Sequence, residues 1–364
     1  MDEYERTQND LVQYRALAAA GDGESLPQVL EPVKPGEVYD GLPRLIHLLL
    51  LVGDLPTEIL VPDSNIYDGP LVAAVKQFQR RHGLDPNGRI DKATVVQLNV
   101  PLSFRVRQLE LALERWRRHP YDPTRPTVVL NLPEFRLRAF RANQMELEMK
   151  IVVGRALDRQ TPLLSAQLDT IIFRPYWNVP LDIQRDELVP KIVDDDSYLA
   201  ASHLEIVTPQ GTVRNGMVSD DALDELRSGR LRLRQTPGPK NSLGLVKFVF
   251  PNPYGVYMHG TPAVSLFSQA RRDFSHGCIR VEKPEDLAEW VLRDESGWPR
   301  YRIGEAMMGS ESITVKLKRP IQVVTTYVTA VVLDNGEVHF YDDIYGKDAA
   351  LEEELIGSGA LDSR

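Results

Sequence analysis

Apolar residues recur at helical spacing through the first third of the chain. They change to short alternating or continuous runs after about residue 126. Leu42, Leu45, Ile46, Leu49 and Leu50 predict one helix, and Leu71, Val72, Val75 and Phe78 predict another over 70–82 that stops at Gly83. Asp91 stands where an N-cap would open a third, shorter helix after the turn at 85–90. These three outline a compact unit over 38–100. Before it, an N-terminal segment (1–37) holds a helical stretch at 11–20 that ends at Gly21-Asp22-Gly23. After it, Val106, Leu109, Leu113 and Trp116 form one stripe along a linker helix within 101–124, whose plain reading is packing against its neighbours.

The run His119-Pro120-Tyr121-Asp122-Pro123-Thr124-Arg125-Pro126 breaks this pattern and marks a domain boundary. Strands are predicted at 127–132, 135–141, 146–153, 170–174, 245–250, 255–258, 313–317 and 321–333. Asn335-Gly336 is a two-residue hairpin signal leading to a return strand at 337–341. A helix is expected at 284–292, with Glu285 and Asp286 in its first turn. Residues 181–235 interrupt the strand series with polar and acidic sequence (Asp194-Asp195-Asp196) and helical pieces at 185–193 and 220–226. They read either as a surface decoration or as a cap over a site. The expected fold class is multidomain α+β: a small three-helix module, then a mainly β domain over 125–345 with a helical insertion, then a tail at 346–364.

Composition narrows the function. With 42% hydrophobic and 26% charged residues, 364 residues can bury real cores, so global disorder is a poor description. A net charge of −9 argues against general nucleic-acid binding. The most apolar run, Leu45 to Val52, is far too short to span a bilayer. The N-terminus (Met1-Asp2-Glu3-Tyr4) is acidic and shows no secretory pattern, which leaves a cytoplasmic protein or one whose export signal is outside this sequence. The 7 histidines show no His-Glu-x-x-His spacing and no phosphate-binding glycine-lysine loop is visible, so neither a metal nor another cofactor is expected.

One cysteine excludes an intrachain disulfide and leaves a buried inert thiol or a reactive one. It lies in Phe274-Ser275-His276-Gly277-Cys278-Ile279-Arg280-Val281, with Tyr257-Met258-His259-Gly260-Thr261-Pro262 upstream. A cysteine nucleophile needs a base, and His259 precedes it by 19 residues, enough for the chain to return. Gly277 allows a tight turn whose consecutive N–H groups could serve as an oxyanion hole.

Together, His259-Gly260-Thr261-Pro262 and Ser275-His276-Gly277-Cys278-Ile279-Arg280 resemble the signature of the YkuD-type L,D-transpeptidases. The flanks Arg174-Pro175-Tyr176-Trp177-Asn178-Val179-Pro180, Asn241-Ser242-Leu243-Gly244 and Phe250-Pro251-Asn252 are similar to the larger Gram-negative branch, and the likeness covers 125–345. Residues 38–100 resemble the small peptidoglycan-binding module, chiefly through Ala74 to Leu84 and Asp91 to Asn99.

The resemblance implies a periplasmic enzyme whose partners are peptidoglycan stem peptides and glycan. Cys278 would attack the carbonyl between diaminopimelate and D-alanine, release D-alanine and pass the acyl group to an amine. His259 would act as base, its other ring nitrogen bonded to the Gly260 carbonyl, and the N–H groups of Gly277 and Cys278 with Tyr257 would hold the oxyanion. His276 competes for the base role and otherwise braces the turn with Ser275. Arg280 reads as an ion pair or as a substrate carboxylate binder, Trp177 as a core aromatic or a groove wall, and Asn178 as a weaker substrate contact. The insertion at 181–235 would be a lid. An L,D-carboxypeptidase or amide hydrolase would use the same acyl-enzyme. A non-catalytic wall-binding protein would have no need of the Cys278–His259 pairing.

Overall fold

A computed structural model describes residues 3–58, 65–118, 122, 124–195, 197–214 and 218–357. Met1 and Asp2 of the N-terminal reading, His119–Tyr121 and Pro123 of the boundary run, Asp196 of the acidic run and 358–364 of the tail lie outside the described residues.

The helical spacing near the N-terminus becomes three helices, Leu42–Leu51, Pro70–Arg81 and Lys92–Leu98. They close around buried Leu45, Leu49, Leu71, Val75, Phe78, Ile90 and Val95. Asp91 caps the third, accepting from the Thr94 N–H at 2.8 Å. The first helix of the chain, Glu3–Ala20, is longer than its pattern suggested. Only Thr7, Leu11 and Tyr14 on it are buried, so its first turns carry no apolar repeat to read. It packs with Leu102–Arg118 and with a hairpin formed by Ala330–Val332 and Val338–Phe340.

That hairpin ties the helical module to the rest of the molecule. Buried Arg81 bonds Asp54 through Nε at 2.8 Å and donates to the Val338 carbonyl at 2.7 Å. Gln77 reaches Glu337 at 2.8 Å, and the His82 ring lies between Phe78 and Phe340. Residues 347–357, read from the sequence as a tail, form a helix (Lys347–Gly357) held to the linker helix by Arg115–Asp348 and Arg107–Glu352 ion pairs.

The β region forms one nine-stranded sheet. Its order is Asp273–Ser275, Gln144–Gly154, Ile279–Val281, Met258–His259, Val246–Val249, Ser165–Phe173, Ile313–Thr326, Thr127–Asn131 and Arg136–Arg141. Arg136–Arg141 pairs back onto Gln144–Gly154, so the sheet closes on itself and those edges disappear. Its core holds Val128, Leu137, Ile151, Ile171, Phe248, Met258 and Ile279, and extends to Leu287 and Ile303 of helices Pro284–Leu292 and Arg300–Met308.

Three strand predictions change. The runs at 313–317 and 321–333 are one strand to Thr326, because a register shift between Lys316 and Ile321 absorbs Pro320, which cannot donate to a ladder. The chain then leaves the sheet, and the Asn335-Gly336 turn belongs to the separate hairpin, with Gly336 at φ +82°. The expected strand at 255–258 shortens to Met258–His259.

The insertion has its own core of Val179, Ile183, Val189, Ile192, Ala222, Leu226 and Leu233. Besides helices it contains a three-stranded sheet of Trp177–Asn178, Arg232–Gln235 and Leu204–Val207, strands too short to show a period.

Candidate active site

Cys278 sits in the turn between Asp273–Ser275 and Ile279–Val281, and that turn is closed by hydroxyls. Ser275 Oγ donates to the Cys278 carbonyl at 2.6 Å and accepts from the Gly277 N–H at 3.1 Å. Thr161 Oγ1 donates to the Gly277 carbonyl at 2.9 Å and accepts from the Gly154 N–H at 2.9 Å. Gly277 has φ +108°, a conformation a side chain rarely adopts. At Gly154 a Cβ would lie 1.9 Å from the Arg159 carbonyl oxygen, so only glycine lets that loop press against the strand.

Strand register brings the histidine to the cysteine. Ile279 pairs with Met258, and Arg280 with His259, in parallel; His259 also pairs with Lys247 across the antiparallel neighbour. Paired residues project from the same face, so Lys247, His259 and Arg280 form one row across three adjacent strands. Cys278, two residues before Arg280, falls diagonally from His259.

His259 is buried, and its Nδ1 is 2.5 Å from the Gly260 carbonyl. Burial, then the charges of Arg280 and Lys247, bring its pKa down to about 3, so the ring is neutral at ordinary pH. Burial pushes the Cys278 thiol up, against hydrogen bonds from Tyr257 and the charges of Lys247 and Arg280. At rest the thiol and the imidazole diagonal to it in register are therefore both neutral. A neutral imidazole within reach of a thiol can take its proton as the sulfur attacks an electrophile, which is general-base chemistry. The Tyr257 side chain is hydrogen-bonded to Cys278 and to the Trp177 side chain, and its ring centroid lies 5.7 Å from that of His259. The ammonium of Lys247 lies 3.7 Å from the Tyr257 ring centroid.

The other predicted residues separate. Trp177 is hydrogen-bonded to Tyr257 while packing, partly buried, on the insertion core. His276 turns to the insertion: its Nε2 is 2.5 Å from Glu187 Oε1, on the π-helical turn Gln184–Leu188. Arg280 makes no ion pair among the described residues, and its buried Nε has no hydrogen-bond partner. Asn178 is exposed and is paired in register with Arg234 rather than with any residue of the Cys278 turn. The Gly277 N–H is donated to Ser275 Oγ and is not free for an oxyanion in this arrangement. Among the described residues no cluster of His, Cys, Asp and Glu is placed to hold a metal, and no helix is long and apolar enough to cross a membrane.

Sequence reading gave no role to Lys247, Glu187, Thr161 or Asn241, the last quoted only within a family flank. Lys247 had a signal, a charge between buried Val246 and Phe248 in a predicted strand. Asn241 is buried and ties the loop before Leu243 to the Pro175 and Thr236 carbonyls at 3.1 and 2.9 Å. Such a role is invisible without the loop's path.

Comparison with known proteins matches two stretches of the chain. Residues 125–323 match the family YkuD, described as "L,D-transpeptidase catalytic domain", and residues 46–98 match one described as "Putative peptidoglycan binding domain". A curated Haemophilus influenzae protein named "Putative L,D-transpeptidase" is 31% identical over 222 residues, which are 61% of this chain and 44% of that protein. The chain thus spans less than half the length of that relative. Among solved structures, an L,D-transpeptidase from Stackebrandtia nassauensis has 11% identity and a TM-score of 0.31, covering 83% of this chain and 96% of its own. L,D-transpeptidase 3 from Mycobacterium tuberculosis, in complex with a faropenem-derived adduct, has 13% identity and a TM-score of 0.28 over 55% and 60% of the two chains. With more than half of its residues matched by the YkuD catalytic domain, the chain belongs to the L,D-transpeptidase family.

Proposed function

We propose that this protein is a periplasmic peptidoglycan L,D-transpeptidase with Cys278 as its nucleophile. The observation that carries the reading is the placement of the chain's one cysteine in a hydroxyl-closed turn, diagonal to a buried neutral histidine. Cys278 Sγ attacks the carbonyl between diaminopimelate and the terminal D-alanine of a tetrapeptide stem, and its proton passes to His259 Nε2. The tetrahedral intermediate collapses with the C–N bond breaking, and the D-alanine amine leaves with the proton from His259. An amine of a second stem then attacks the thioester, giving its proton to His259 and restoring the thiol as the new amide forms. The Gly260 carbonyl holds the tautomer that leaves Nε2 as acceptor.

With the Gly277 N–H engaged by Ser275, the oxyanion would be met by the Cys278 N–H and the Tyr257 hydroxyl. Arg280 and Trp177 border the donor side. The insertion acts as a lid over the groove, pinned by Glu187 to His276 and by Asp182 to Arg159, and it limits water at the thioester. The three-helix module over 38–100 holds the enzyme on glycan or stem peptides.

The test is incubation with purified disaccharide-tetrapeptides, with products sequenced by tandem mass spectrometry. Cross-linked dimers and free D-alanine are expected from the wild type and neither from Cys278→Ala. Dimer formation by Cys278→Ala, or none by the wild type, refutes the assignment.

A further inference from the structure

The face that carries His259 also holds an excess of positive charge. Lys247 and Arg280 flank His259 in register on the two neighbouring strands, so a cation stands on each side of the imidazole. Both are half-buried, and neither forms an ion pair with a carboxylate among the described residues. The Nε of Arg280 is buried without a hydrogen-bond partner. The Lys247 ammonium rests against the π face of Tyr257, at 3.7 Å from the centroid. Other buried arginines have their groups satisfied: Arg81 is paired with Asp54, Arg115 with Asp348 and Arg138 with Glu134, while Arg105 and Arg272 donate to amide and backbone carbonyl oxygens. Half-buried charges without counter-ions are costly, which points to an anion that arrives with a ligand.

Charge balance says which anion. The Cys278 thiolate could offset one of the two charges, but it disappears in the thioester, and the oxyanion is transient. At least one cation is therefore uncompensated at every stage unless the substrate brings a negative group.

We propose that Lys247 and Arg280 form a carboxylate cradle on either side of His259, which seats a carboxylate of the acyl donor beside Cys278. The assignment rests on the acyl-transfer reading above and adds Lys247 as a binding residue. Guanidinium supplies a planar fork and ammonium a compact point charge, so together they orient a carboxylate without copying each other. The group is either the C-terminal carboxylate of the departing residue or the side-chain carboxylate of the diamino acid.

A first experiment needs no peptide. Alkylation of Cys278 by anionic iodoacetate and by neutral iodoacetamide is followed by intact mass. Both reagents sense the same thiolate fraction, so their rate ratio reports the anion site alone. The ratio should exceed that of N-acetylcysteine in the wild type, persist in Lys247→Arg and fall about tenfold in Lys247→Met. An unchanged ratio in a folded Lys247→Met variant overturns the cradle. Should that variant not fold, a wild-type ratio no higher than that of N-acetylcysteine overturns it as well.

The second experiment compares KM for donors amidated at the C-terminus with donors amidated at the side-chain carboxylate. The amidation that raises KM in the wild type but not in Lys247→Met names the seated group. No effect of either amidation in the wild type overturns the proposal. No amino-acid release from any donor overturns the transpeptidase reading; with the alkylation preference intact, the anion site at Lys247 and Arg280 stands while its acyl-donor occupant falls with that reading.

Discussion

Replacing His259 with glutamine should make the protein less sensitive to acid, even as it removes the proposed base. His259 is 5% exposed and flanked by two cations, so its folded pKa is about 3 against an ordinary 6.5. Below pH 6.5 the unfolded chain takes up a proton on this residue that the folded chain refuses until about pH 3. The native state therefore keeps the full contribution above pH 6.5 and loses it progressively as pH falls toward 3. At pH 4.5, two units below the unfolded value, the loss is about 2.7 kcal/mol at 1.36 kcal/mol per unit. His82 and His339, also held neutral by burial, and the carboxylates remain in both proteins, so their contributions cancel in the difference. Urea unfolding of wild type and His259→Gln at pH 7.5 and 4.5, followed by tryptophan fluorescence, measures it. The wild type should lose ~2–3 kcal/mol more than the variant between the two values. Equal losses, within about 0.5 kcal/mol, would mean that His259 is not held neutral and that the flanking cations do not act on it.

Arg81→Ala leaves Asp54 buried without its partner and should cost about 3–5 kcal/mol in urea unfolding, with limited proteolysis showing the helical module released from the 330–340 hairpin. Ser275→Ala removes two hydrogen bonds of the cysteine turn and should cost ~2 kcal/mol of stability, with slower alkylation of Cys278 by intact-mass assay. Glu187→Gln removes the charge facing His276 and should raise the ratio of hydrolysed to cross-linked product in the tetrapeptide assay; an unchanged ratio would refute the lid role of the insertion.

Local patterns in the sequence determined much of this protein. The helices at 42–51, 70–81 and 102–118 follow from apolar spacing, because a repeat of 3.6 residues needs no partner to be read. The Asp91 cap and the Asn335-Gly336 turn are short-range chemistry carried by single residues. Cys278 and His259 could be singled out because the strings around them match a family signature, although their diagonal placement on paired strands was not deducible from a separation of 19 residues. Tertiary structure decided what depends on register and on partners distant in sequence. Whether Lys247 faces solvent or His259 turns on a strand pairing that a slip of one residue would reverse. Glu187 reaches His276 across 89 positions of chain, and Thr161 reaches the Gly277 carbonyl across 116. The Gly277 N–H, read from sequence as an oxyanion donor, is engaged by a hydroxyl two residues earlier. Sequence supplies donors and acceptors in order along the chain. Which of them meet, and which charges are left without a counter-ion, is fixed only when the sheet closes and desolvates them together.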